Sequence, residues 1–261
     1  MINPTYGQAN VTLAGPVATV SFSRPPNNHV SAELLSDLAD AFDAIDADPA
    51  LRASVLASEG RVFCAGADFG AGAQETGADR SGFVESLYAQ AVRLFAARKP
   101  IVAAIQGAAV GAGLGLSLVA DFRVVAHEAR FAANFVKLAF HPGFGLTHTL
   151  PRLIGPQKAA DLFLTGRRVG GEEAVSLGLA DRLAPLDGLR DAAHALAAEI
   201  AENAPLAVVA TRATLRAGLA EAVRATTEHE AKEQAILRAT EDFQEGVRAV
   251  AERRPGNWQG R

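Results

Sequence analysis

The stretch from Lys99 to Asp121, KPIVAAIQGAAVGAGLGLSLVAD, limits what this chain can fold into more than any other. It is almost wholly apolar, yet four glycines interrupt it. Ile101 to Ile105 reads as a short buried strand and Leu114 to Ala120 as a buried helix, with a glycine-rich bend between them. A helix starting after such a bend leaves backbone N–H groups unpaired, with the positive end of its dipole behind them. That arrangement favours a negative oxygen. A membrane span has a similar length, but the glycines, the single occurrence and the charged boundaries argue against it. Gly111 and Gly113 begin a dinucleotide fingerprint, and Leu116 at its third position breaks it. For Gly107 and Gly115, close packing is a competing reading.

A chain of 261 residues buries one large core, or one core and a small appendage. Its 25 basic and 29 acidic residues give a net charge of -4, with no basic cluster suited to a nucleic-acid backbone. Cys64 is the only cysteine, which excludes an internal disulfide and a cysteine metal cage. No histidine or carboxylate spacing predicts a metal site. A reducing cytoplasm is the expected compartment, and the N-terminus lacks a secretory pattern.

In chain order, Val11 to Ser23 reads as a hairpin around Gly15-Pro16, and Arg24 to Val30, RPPNNHV, as turn chemistry. Ser31 caps a helix with Leu34, Leu35, Leu38, Ala41, Phe42 and Ile45 on one face. A strand over Ala53 to Ala57 leads to a second glycine-rich bend, Glu59 to Gly72. A helix from about Gly82 to Arg98 then enters the opening stretch, and Phe122 to Ala126 and Arg130 to Ala132 add strands. The order strand, bend, helix repeats about three times and predicts an α/β body of alternating layers. Short helices follow over Pro156 to Leu164 and Gly171 to Gly178, and from Leu189 onward the pattern is almost continuously helical. We divide the chain into a core over 1–195 and a C-terminal helical region over 196–261.

Two bends and the tail coincide with a known pattern. FCAGADF at Phe63 to Phe69 and QGAAVGAGLGL at Gln106 to Leu116 resemble the two signature segments of the crotonase superfamily, the enoyl-CoA hydratase/isomerase family. The RPPNNH turn, the HPGFGLT loop and the EDFQEGVRAVAERRP ending are similar too, so the resemblance covers essentially the whole chain. It implies a crotonase-like spiral, a superhelix of ββα units, with a C-terminal helical trimerisation region and assembly as a homotrimer or a dimer of trimers. It also implies an acyl-coenzyme A substrate, with coenzyme A arriving as part of that substrate and no separate cofactor, nucleic acid or membrane partner.

By the same resemblance, the N–H groups of Ala67 and Ala112 would hold the thioester oxygen as it becomes an enolate. Losing one such donor typically costs about 3 kcal/mol. The second position is usually glycine, so Ala112 is a departure whose methyl group narrows the pocket. Asp68, Phe69 and Gly70 would line the coenzyme A channel, Asn28 and His29 would lie near its adenine and pantetheine, and Ala65, Gly66, Gly111, Gly115 and Phe135 complete the substrate-facing set.

Hydratases of this family carry two glutamates that position water and pass the proton, and here those positions read Gly115 and Phe135. A relative's aspartate position reads Gly143. The expected chemistry is therefore isomerisation or other lyase or hydrolase chemistry through an enolate rather than ordinary hydration. A non-catalytic acyl-coenzyme A-binding protein is the alternative. His141 is the leading replacement acid/base because histidine titrates near neutrality. His148 ranks below it, and Glu75, Asp79 and Glu85 read mainly as solvated charges. Arg24 reads more as a solvated arginine than as a phosphate ligand. Cys64 reads as inert packing, and Ser54 and Ser117 as buried residues outside any hydrolytic triad.

Overall fold

The computed structural model describes residues 2–67 and 78–261, with side chains for all of these except 78–83 and 85. The chain opens with β1 (Thr5–Tyr6), β2 (Ala9–Ala14) and β3 (Val17–Phe22), followed by α1 (Ala32–Ala47) and β4 (Ala53–Ser58). Next come α2 (Ala78–Phe95), β5 (Ile101–Ile105), β6 (Ala108–Val110), α3 (Ala112–Ser117), β7 (Phe122–Ala126) and β8 (Arg130–Ala132). A one-turn 3₁₀ helix leads to α4 (Leu146–Ile154), α5 (Pro156–Thr165), β9 (Arg168–Gly170), α6 (Gly171–Leu177) and β10 (Arg182–Ala184). Four helices finish the chain: α7 (Leu189–Ala201), α8 (Pro205–Leu215), α9 (Leu219–Arg238) and α10 (Glu241–Ala251).

Seven strands form one sheet in the order β1-β2-β3-β4-β5-β7-β10, and β6-β8-β9 form a second. The hairpin pairs antiparallel, with Val11 opposite Val20, whereas β3, β4, β5, β7 and β10 run parallel. Parallel strands covered on both faces need continuous apolar sequence, and every residue of β4 and β5 is buried. On one face α1 lays down the predicted stripe, and Ser31 Oγ accepts from Leu34 N at 3.2 Å. On the other, Leu189, Ala193, Leu196 and Ala197 of α7 meet Val17, Ala53, Val55, Ala57, Val102 and Ala104. Alanines on both sides let helix and sheet approach closely.

Several short elements depart from the expected reading. β1, β6, β9 and β10 span two or three residues, too few to show alternation. The segment after Ile105 thus holds a strand, β6, besides its bend. α3 begins at Ala112, two residues earlier than expected, because Gly111 turns the chain at φ 54°. α7 runs through residue 195, and Leu219, Val223 and Phe243 of the later helices join the main core. No helix among the described residues is long and apolar enough to cross a membrane.

Asp121, where the glycine-rich stretch ends, fastens α8 to this frame. Its carboxylate accepts from Ile101 N at 2.9 Å, Arg212 Nε at 2.8 Å and Arg216 Nη1 at 3.0 Å. Burial pushes the Arg216 guanidinium down to about 10. Asp121→Ala would strand two buried cations, at a cost of about 3–5 kcal/mol. Urea denaturation should show that loss, and a change below about 1 kcal/mol, the size of an exposed pair, would contradict the assignment.

Candidate functional site

Three backbone segments are laced together where β3, β4 and β5 end. Cys64 N donates to Ala108 O at 2.9 Å and Val110 N to Cys64 O at 3.0 Å, joining the first bend to the second. Val30 N donates to Gly66 O at 3.0 Å and Ala65 N to Asn27 O at 3.0 Å, joining the first bend to the RPPNNH turn. Glycine is required at the crossings. A methyl group on Gly66, at φ +89°, would stand 2.7 Å from Val110 O and 3.5 Å from Ala112 N. On Gly113 it would overlap Cys64 O, and on Gly107 it would overlap Arg61 O. The two bends therefore meet backbone to backbone. Neither Ala67 N–H nor Ala112 N–H donates to a backbone carbonyl among the described residues, and both alanines remain partly exposed. Ala112 is the first residue of α3, so its N–H has no acceptor inside the helix.

Aromatic rings close the ground beside these donors. A methyl group on Gly111 would lie 3.5 Å from Phe135 Cζ. One on Gly115 would lie 2.5 Å from Phe144 Cδ1 and 2.8 Å from its Cβ. At Gly143 it would overlap the Tyr88 hydroxyl. The three positions that the resemblance assigns to acids thus hold two glycines without room for a side chain and one phenylalanine.

The other predicted residues fall as follows. Asn28, 2% exposed and at φ 52°, donates to Glu59 O and Val62 O at 2.7 Å each while its Oδ1 accepts from Arg24 N at 2.7 Å. Its side chain thus ties the turn to the first bend. His29 Nδ1 lies 3.1 Å from Gly66 O; since that oxygen only accepts, the ring donates from Nδ1. Arg24 donates to His29 O at 2.7 Å and so braces the turn. His141 Nδ1 lies 2.8 Å from Pro142 O, and its ring meets that of His229 edge-on at 6.0 Å. No hydrogen bond among the described residues joins His141 or His148 to Ala67 or Ala112. Burial pushes the Cys64 thiol up to about 12, so it stays protonated. Ser117 and Ser54 donate to Leu114 O and Pro100 O. Asp68, Phe69, Gly70 and Glu75 lie outside the described residues, as do the side chains of Asp79 and Glu85. Among the described residues no His, Cys, Asp or Glu cluster fits a metal ion.

Two features escaped sequence reasoning. A cavity of about 710 Å³ opens between the RPPNNH turn, the ends of β4 and β5, and the start of α7, with Arg61, Arg190, Glu59 and Glu128 among its lining residues. Ligand sites in open parallel sheets favour this end of the strands. The second feature is Glu230 on α9, fully buried beneath the HPGFGLT loop. It accepts from Gly145 N at 2.7 Å, Thr147 N at 3.0 Å and Thr147 Oγ1 at 2.7 Å. Nearby, the Tyr88 hydroxyl donates to Gln234 Oε1 at 2.9 Å. A signal did exist: Leu219, Val223, Thr227, Glu230 and Gln234 recur at helical spacing, which places an acid on the buried stripe.

Comparison with known proteins finds relatives along nearly the whole chain. A family model described as Enoyl-CoA hydratase/isomerase matches residues 13–261. A Thermus thermophilus protein with a provisional enoyl-CoA hydratase name is 39% identical over 250 residues, 92% of this chain and 96% of its own. Carnitinyl-CoA dehydratase of Proteus mirabilis is 34% identical over 257 residues, 97% of this chain and 98% of its own. The crystal structure of an enoyl-CoA hydratase/isomerase from Pseudoalteromonas atlantica superposes with a TM-score of 0.86 at 30% identity, covering 97% of this chain and all of that one.

Burial gives Glu230 a distinct pH signature. Desolvation outweighs its hydrogen bonds and raises its carboxyl from the ordinary 4.5 to about 7. Between those values the folded chain keeps a proton that the unfolded chain has released, so stability falls as pH rises from about 4.5 to about 7. The full shift corresponds to about 3 kcal/mol. Urea midpoints measured across this range should show the decline in the native protein and lose that component in Glu230→Gln; identical pH profiles for the two would contradict it.

Proposed function

The chain belongs to the enoyl-CoA hydratase/isomerase family, and we propose that it acts on acyl-coenzyme A thioesters through an enolate whose oxygen is held by Ala67 N–H and Ala112 N–H. The observation that carries this reading is the backbone crossing of the two bends at Gly66, Cys64 and Gly113, with both N–H groups left without a backbone acceptor among the described residues. Preorganised donors need no rearrangement as charge develops on the thioester oxygen, and they acidify the adjacent carbon.

Within the family's range, the proposed reaction is double-bond isomerisation rather than hydration. Hydration needs groups that hold a water and pass its protons. Gly115 and Gly143 have no space for such a side chain, and Phe135 presents an apolar ring. Isomerisation needs one group that removes a proton and returns it to another carbon. His141 is the candidate shuttle, although its described contacts run to Pro142 and His229. The nucleotide end of the substrate is placed near the RPPNNH turn, where Arg61 lines the cavity. The homotrimer or dimer of trimers we propose would give cover to Leu206 and Leu215 on α8, which are 85% and 69% exposed. The compartment we propose is the cytoplasm, a reading supported by the single, buried cysteine.

The test is a panel of 2-enoyl, 3-enoyl and 3-hydroxyacyl coenzyme A thioesters followed by enoyl and thioester absorbance, with native protein and His141→Ala. The expected result is conversion of 3-enoyl to 2-enoyl thioesters, with hydration of crotonyl-coenzyme A slower by about 100-fold or more. Conversion in His141→Ala should fall by about 100-fold if this ring moves the proton. Undiminished turnover in that variant removes the role. Rapid hydration overturns the preference for isomerisation, and binding without conversion supports the non-catalytic alternative.

A further inference from the structure

We propose that Glu230 of the C-terminal helix α9 is a positioning residue for the acyl site: it holds the 143–147 turn in the conformation that presses the Phe144 ring onto Gly115 of α3. The proposal rests on the reading that α3 borders the acyl group, and it adds a device by which a distant helix sets the wall of that site.

The turn needs outside support. Phe144 sits at φ 65° and Gly145 at φ 73°, two consecutive left-handed residues. Glycine adopts that conformation freely, whereas phenylalanine is strained in it. Glu230 supplies that support, accepting from Gly145 N and from Thr147 N and Oγ1. One helical turn further along α9, Gln234 Nε2 donates to His141 O at 3.0 Å and Pro142 O at 3.3 Å, so two adjacent side chains of one helix grip the same loop.

What the turn presents is specific. Phe144 is fully buried, meets Phe95 edge-on at 6.4 Å, and fills the space that a side chain at position 115 would need. The carboxylate itself is unsuited to proton transfer with substrate, because Glu230 is 0% exposed and both its oxygens are occupied. Its effect on the reaction therefore runs through Phe144. Phe144 is itself buried, so loosening the turn would act by freeing space behind Gly115 on α3, the helix that the proposed function sets beside the thioester, and so admitting bulkier acyl groups.

A helix cap with no further role would stabilise the fold without sensing Gly115, and a double-mutant cycle separates the two. Urea midpoints are measured for the native chain, Gly115→Ala, Glu230→Gln and the double variant. The added methyl group collides with Phe144 in the native chain, so its penalty should shrink by about half or more when Glu230 no longer fixes the turn. An equal penalty in both backgrounds overturns the proposal. If Glu230→Gln does not fold, Thr147→Val replaces it, since it removes one bond to the carboxylate and keeps the N–H. Binding of free coenzyme A, a crotonyl thioester and a branched short-chain thioester is measured in parallel. Glu230→Gln should leave coenzyme A affinity within about two-fold and shift preference toward the branched thioester by about five-fold or more. An unchanged preference counts against the proposal. If the native protein binds no thioester, the functional reading fails while the stability cycle still decides the role of Glu230.

Discussion

The close approach of two backbones, residues 63–67 against 108–113, is the constraint on which the rest of this structure depends. Hydrogen bonds between Cys64 and both Ala108 and Val110 hold the bends in register, and the glycines at 66, 107 and 113 let them touch without intervening side chains. A side chain at Gly113 or Gly107 would drive carbonyl oxygens apart. Several described neighbours help to fix it. Parallel strands β4 and β5 deliver the segments, Asn28 and Arg24 brace the turn beside them, and Asp121 anchors α8 where the second segment ends.

Among the described residues, aromatic rings pack beside this crossing. Phe135 stands against Gly111, Phe144 against Gly115, and Tyr88 against Gly143. Replacing one glycine with an acid would not restore a water-handling site, because the neighbouring ring already fills the volume. A set of described polar groups, Tyr88, Glu230 and Gln234, lies beneath the HPGFGLT loop. Their hydrogen bonds run to the loop and to one another.

Much of this was legible in the sequence, for identifiable reasons. The stripe from Leu34 to Ile45 has helical period and a serine cap, and Ile101 to Ile105 is a β-branched apolar run; both form as read. The two bends were visible because backbone crossings demand glycine, and glycine is conspicuous. β6, β9 and β10 were not, since three residues carry no periodicity and form only because a partner strand is present. Asn28 was read as lying near substrate; its amide donates to Glu59 O and Val62 O, more than 30 residues away, and no local pattern reveals those partners. His141 drew attention as an ionisable loop residue, while Glu230 passed unnoticed in a helix rich in charge. Only the stripe shared with Leu219 and Val223 marks it as buried.

The central claim is that Ala67 N–H and Ala112 N–H converge on one thioester oxygen. Isotope-edited infrared spectroscopy of a bound acyl-coenzyme A carrying a ¹³C-labelled thioester carbonyl tests it most directly, because hydrogen bonds from two fixed donors weaken that double bond. The account predicts a carbonyl stretch at lower frequency in the complex than in free solution. A bound thioester whose carbonyl stretches at its free value would contradict it.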